Sequence, residues 1–174
     1  MTDPEFPRPV RLDTLGEAPR QIAITAEESE RAALARRFGL IAIERLEAEA
    51  GVRAAGDAVL VEGRLRAAVT QACVASGEPV PAVIDEPFVL RFVPEGTPAA
   101  EEEIELDEGD LDVIAYEGSA VDLGEAAAQT LALALDPFPR APNAQAVLRA
   151  AGVVGEGEEE TGPFAALKAL RDKL

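Results

Sequence analysis

Between residues 58 and 73, "AVLVEGRLRAAVTQAC", apolar and polar positions alternate with few errors. Val59, Val61, Leu65, Ala67, Val69 and Cys73 fall on one side of an extended chain, and Glu62, Arg64, Arg66 and Thr70 on the other. A period of two over that length predicts a strand with one face buried and one face wet. "VPAVIDEPFVLRFVP" repeats the pattern, with Val80, Ala82, Ile84, Phe88, Leu90 and Phe92 on its apolar side. Pro87 has no amide hydrogen for a ladder, so this strand is expected at a sheet edge or with a bulge. The intervening "VASGEPV" is turn-rich and joins the two as a hairpin. Upstream, residues 20–26, "RQIAITA", read as extended, and residues 40–52, "LIAIERLEAEAGV", alternate imperfectly.

Helices are announced by their ends. Thr25 and Glu28 form a T-x-x-E capping box that starts a helix near Ala26. Glu27, Glu28 and Glu30 in its first turns and Arg36 and Arg37 in its last complement the macrodipole, and Gly39 is the natural stop. Arg31, Arg36 and Arg37 therefore need no binding role. Residues 112–116 read as a strand, Glu117, Gly118 and Ser119 as a turn, and Asp122 with Glu125 as the start of a helix running to about Leu135. Leu123, Ala127, Leu131 and Leu135 repeat every four along it, so one side is buried. Pro137 bars helix from Asp136 onward. "VGEGEEETG" is an acidic linker whose glycines do not match G-x-G-x-x-G. In "GPFAALKALRDKL", Pro163 opens a short amphipathic helix with Phe164, Leu167, Leu170 and Leu174 along one face.

The expected fold is α+β: an antiparallel β-sheet packed with two or three helices, an acidic mobile loop and a flexible C-terminal tail. Residues 1–152 form its single domain, with the acidic loop at 94–111. Residues 153–174 are the acidic linker and the short C-terminal helix.

Composition removes most chemistry. The chain of 174 residues has no histidine, which excludes Ser-His and Cys-His catalysis and the histidine zinc sites. Its one cysteine makes an intrachain disulfide impossible and leaves a four-thiolate zinc site three ligands short. Cys73 has only Ala, Val and Gln for near neighbours, none of which lowers a thiol pKa, so it is expected to pack as a small hydrophobe that tolerates Ala better than Ser. No secretory signal is expected from "MTDPEFPRPVRL", and the apolar run 126–135 is far below the roughly 20 residues that span a bilayer. A cytoplasmic setting follows as an expectation, with no membrane partner, no cofactor, no metal and no small-molecule ligand.

The net charge of −17 is unevenly placed: residues 1–94 carry −4 and residues 95–174 carry −13. Nine acids and no base lie in 95–112. That field repels a phosphate backbone, so strong direct binding of RNA is disfavoured. "DEGDLD" lacks the order of a calcium loop.

The succession "VEGRLRAAVTQACVASGEPVPAVIDEPFVLRFVP", "GSAVDLGEAAAQTLALALDPFPRAP" and "PFAALKALRDKL" resembles the YceD family, the large ribosomal RNA accumulation proteins of bacteria and plastids. Many members carry C-x-x-C where this chain reads "CVAS", so Cys73 stands at the first position and Ser76 at the second. No second thiol remains for a metal or redox role of that pair, and the resemblance transfers no catalytic residue. It implies a role in making, processing or stabilising large-subunit ribosomal RNA. Taken with the charge, that points to a non-enzymatic accessory factor whose partner is a ribosomal or ribosome-assembly protein, with ribosomal RNA reached indirectly. The candidate contact residues are Arg140 and, in the basic C-terminal segment, Phe164, Leu167, Lys168, Leu170 and Arg171. The alternatives are a carboxylate-dependent, metal-assisted RNA-processing enzyme and a structural adaptor unrelated to RNA.

Overall fold

The structure, a computed structural model, describes residues 4–96 and 112–153. In chain order the elements are β1 (Pro9–Arg11), a 3-10 turn (Leu12–Thr14), β2 (Arg20–Thr25), α1 (Glu28–Phe38), β3 (Ala42–Ala55), β4 (Ala58–Ala72), β5 (Pro79–Pro94), β6 (Asp112–Tyr116), β7 (Ala120–Asp122), α2 (Leu123–Ala134) and α3 (Ala144–Ala150). The main sheet runs β2-β3-β4-β5-β6, and β1 pairs with β7 in a separate antiparallel ribbon. Neighbours from β2 to β5 are antiparallel, whereas β6 lies parallel to β5. This is an α+β fold with one parallel pair that the alternation of side chains does not reveal.

Alternation along β4 and β5 decides which face is covered. Val59, Val61, Leu65, Ala67, Val69 and Cys73 are buried, as are Ile84, Phe88, Leu90 and Phe92 on the partner strand. The β4–β5 register is unbroken from Val59 opposite Phe92 to Ala72 opposite Pro79, so Pro87 sits without a bulge. β6 pairs with β5 only from Leu90 onward, which leaves Pro87 at an edge among the described residues. Gly63 has the same physical origin as Phe88: a Cβ there would strike the Phe88 ring, Ala50 and the Glu49 carbonyl. The glycine makes room for the ring.

α1 and α2 cover the inner face. Leu34 and Ala35 of α1 and Leu123, Ala126, Ala127, Ala128 and Leu131 of α2 join the same core as Leu46, Val52, Val61, Leu65 and Val69. α1 begins later than its sequence signature implies. The Ala26 amide still bonds to the Leu46 carbonyl at 2.9 Å, so strand pairing holds Thr25 extended. Glu27 is the N-cap, and its box partner is Glu30, whose Oε2 accepts the Glu27 amide at 2.7 Å. Gly39 ends the helix at φ 66°, as expected of a left-handed stop. Asp122 caps α2 by accepting the amides of Gly124 at 2.9 Å and Glu125 at 3.1 Å. α2 stops at Ala134, one residue short of the expected end.

The N-terminal stretch has an unexpected role. Phe6 is buried in the core, its carbonyl lies where a Gly124 side chain would stand, and the Arg8 amide bonds to Asp122 Oδ1 at 2.8 Å. These contacts span more than a hundred residues, beyond the reach of any local pattern. α3 is likewise unannounced by periodicity, since only Ala144 of its seven residues is buried. The expected acidic loop 94–111 starts with Pro94, the last residue of β5. Residues 97–111, the linker and the C-terminal helix lie outside the described residues.

Candidate functional site

The β4–β5 hairpin and the loop that follows α2 meet at one end of the sheet. The turn closes through the Cys73 amide to the Glu78 carbonyl and the Gly77 amide to the Cys73 carbonyl, both 2.8 Å. Gly77 sits at φ 74°, a conformation that ordinary side chains disfavour. Three long-range bonds then hold the loop against the hairpin. The Gln71 amide nitrogen donates to the Asp136 carbonyl at 2.8 Å, the Val74 amide to the Pro139 carbonyl at 2.9 Å, and the Ala141 amide to Cys73 Sγ at 3.2 Å. Asp136 also caps its own turn by accepting the Phe138 amide at 2.9 Å.

Cys73 is 3 % exposed and packs with Ala141 and Ala144 in a small cluster apart from the main core. It does fill space as a small hydrophobe, but its surroundings are not inert. The Ala141 amide, then the Ser76 hydroxyl and the amides of Ala75 and Ser76, draw its thiol down to about 7 against the opposing effect of burial. The expectation that nothing nearby acts on this thiol is corrected here. The groups responsible are mostly backbone amides, which residue types do not show, and the strongest is brought in from 68 positions away. No base stands among these partners, and burial limits access to the sulfur.

Arg140 lies on the braced loop, between Pro139 and Ala141, and is exposed. Two large apolar side chains flank the same junction in the open: Phe138 is 69 % exposed and Val74 54 % exposed. In "DPFPRAP" the sequence analysis singled out the helix stop and Arg140, but not Phe138. The missed signal is an aromatic residue fixed between two prolines, a rigid presentation that burial did not absorb. Of the expected contact residues, Arg140 alone falls among those described. Phe164, Leu167, Lys168, Leu170 and Arg171 lie outside them.

Elsewhere the charges are used locally. Arg8 pairs with Glu30, Arg37 with Glu5 and Glu125, and Arg64 with Asp85. Glu95 and Glu117 meet beside the end of β5, and sharing a hydrogen bond with Glu117 raises the Glu95 carboxyl. Among the described residues no group of three or more Cys, Asp or Glu is placed to hold a metal ion. Among them, too, no helix is long and apolar enough to cross a membrane.

No curated protein and no solved structure is similar to this chain. The family model described as "Large ribosomal RNA subunit accumulation protein YceD" matches residues 61–171, which takes in most of β4, the Cys73 turn, β5, α2 and the braced loop. The sequence with its ordered hairpin, capped helix and Pro-Phe-Pro loop belongs to the YceD family of large ribosomal RNA subunit accumulation proteins.

Proposed function

We propose that this protein is a non-enzymatic accessory factor in the synthesis, processing or stability of large-subunit ribosomal RNA, and that it acts by holding a ribosomal or ribosome-assembly protein. The observation that carries this reading is the junction of hairpin and loop. Phe138, Val74 and Arg140 stand exposed on a backbone tied down by three long-range bonds. A fixed backbone lowers the ordering cost of binding, and an aromatic beside an arginine is the usual make-up of an energetic centre in an interface. A protein partner is favoured over bare RNA because the chain carries −17 and Arg8, Arg11, Arg37, Arg45, Arg64 and Arg66 are engaged by its own carboxylates. Phe164, Leu167, Lys168, Leu170 and Arg171 extend the proposed contact, since 163–174 is the locally basic part of the acidic half.

The test is co-sedimentation of tagged protein with large-subunit precursors, with and without RNase. Phe138→Ser with Arg140→Glu should weaken association about tenfold or more, as for contacts worth about 1.4 kcal/mol or more, while Tm stays unchanged. Association that survives this double substitution rejects the surface. Association abolished by RNase alone assigns the contact to RNA. Deleting 163–174 should also reduce association at unchanged Tm; a much lower Tm would assign that segment to the core instead.

A further inference from the structure

We propose that the seam between β1 and β2 is a docking groove for a short extended segment of a partner protein, which adds to the sheet as a strand beside β2. Strand pairing leaves two backbone edges open there. The Ala26 amide bonds to the Leu46 carbonyl directly opposite, so Arg20, Ile22 and Ile24 are the β2 residues whose peptide groups turn to β3. Gln21, Ala23 and Thr25 turn theirs the other way, and β2 is the last strand on its side of the sheet. In β1 the Leu12 amide bonds to the Ser119 carbonyl and the Leu123 amide to the Arg8 carbonyl, which directs Arg8, Val10 and Leu12 to β7. The Pro9 carbonyl and the Arg11 amide are left facing away from β7.

β1 and β2 border one cavity of about 400 Å³, with Val10, Ile22 and Ile24 in its lining. Two arginine side chains bridge the strands at its ends. Arg8 Nη2 donates to the Thr25 carbonyl at 3.1 Å, and Arg20 Nη1 donates to Thr14 Oγ1 at 3.3 Å. Between them the amides and carbonyls of Gln21 and Ala23 have no partner among the described residues. Donors and acceptors alternating at strand spacing are a template for another backbone. A phosphate takes the amides only and leaves the carbonyls unpaired, so the edge suits a peptide rather than RNA. Inward side chains of the added strand would lie against Ile22, which is half-buried, and Val10.

Charge fixes the polarity of the segment. At the Thr25 end Arg8 pairs with Glu30, and Glu27 and Asp122 are close to it. Arg11 is held by Asp13. At the other end Arg20 is exposed and has no ion pair among the described residues, and Glu17 in the loop before it has none either. A strand antiparallel to β2, as β3 is, runs from Thr25 toward Arg20. A carboxylate at its C-terminal end then meets Arg20, whereas one at its start meets the acids around Arg8. The partner segment is therefore extended, apolar at alternate positions and acidic at its C-terminal end. The groove shares no residue with the hairpin junction and does not depend on it.

The probe is a synthetic peptide that alternates threonine with valine and ends in aspartate, and the measurement is amide hydrogen exchange of the full chain read residue by residue. Saturating peptide should slow the Gln21, Ala23 and Thr25 amides at least about tenfold, while the Ile22 and Ile24 amides, already bonded to β3, change little. N-methylating the peptide amides should abolish binding. Ala23→Pro should do the same, because it removes an edge donor and no bond to β3. Arg20→Glu should weaken binding about tenfold or more, Arg20→Lys should keep most of it, and moving the peptide's acid to its first position should weaken binding to the parent protein. Unchanged exchange at Gln21 and Ala23 overturns the proposal. So does equal binding of the N-methylated peptide, and displacement of the peptide by a short single-stranded oligouridylate would assign the seam to RNA instead.

Discussion

Cys73 Sγ accepts the Ala141 amide at 3.2 Å, and that bond reverses the substitution order expected from a buried hydrophobe. Cys73→Ala strands a buried amide and should cost about 1–3 kcal/mol in urea melts. Cys73→Ser keeps an acceptor at the same place and should cost less. If Ala proves the milder change, the sulfur is only filling space. Gly124 offers a sharper case, because a Cβ there would run into the Phe6 carbonyl. Gly124→Ala should destabilise by about 3 kcal/mol, the upper end of the overpacking range, and a Tm within a degree of the parent would show that the N-terminal stretch shifts freely. Burial of Cys73 was legible in the alternation of β4. Its hydrogen-bond environment was not, because backbone amides are present at every position and only the fold selects which ones converge. Gly124 carries no local mark of its role for the same reason, since Phe6 reaches it only in the fold.

Arg37 shows how two correctly read elements are joined by something neither displays. Its place in the last turn of α1 satisfies the macrodipole, which is how the sequence explains it. In the fold it also makes a bidentate pair with Glu125 in the first turn of α2, at 2.9 and 2.7 Å, and reaches Glu5 at 3.0 Å. The three side chains are partly exposed, so solvent screening limits the contribution. Arg37→Ala should cost about 1 kcal/mol, near the top of the exposed range, whereas Arg36→Ala should be nearly silent. Equal effects in chemical denaturation would reduce Arg37 to a helix-end charge. Strand and helix periodicities were legible because each depends on neighbours two to four residues away. The pairing of β1 with β7 was invisible, since Pro9 meets Asp122. The start of α1 was misplaced because the bond from Ala26 to Leu46 outweighs a local T-x-x-E signature.

At the scale of the whole chain, two electrostatic effects oppose each other as pH falls. The net charge of −17 at pH 7 repels itself, and protonating unpaired carboxylates relieves that strain. Glu95, raised by its contact with Glu117, should be among the first to take a proton. The paired carboxylates behave in the opposite sense. Arg8 holds the Glu30 carboxyl below the ordinary glutamate value, Arg37 does the same for Glu125, and Arg64 holds Asp85 below the ordinary aspartate value. A carboxylate depressed in the folded state contributes stability that is complete above its unfolded value and is lost as pH drops through the folded one. Between pH 7 and about 5 relief of repulsion should therefore dominate and Tm should rise. Below about 4.5 loss of the Glu30, Glu125 and Asp85 pairs should dominate and Tm should fall. Added salt should raise Tm at pH 7, where self-repulsion is greatest, and do less at pH 5. Replacing Glu30 and Glu125 by Gln should flatten the acid limb while leaving the rise from pH 7 to 5 in place. Calorimetry across this range is the check, and a Tm that falls steadily from pH 7 downward would mean that the paired carboxylates outweigh the excess negative charge even near neutrality.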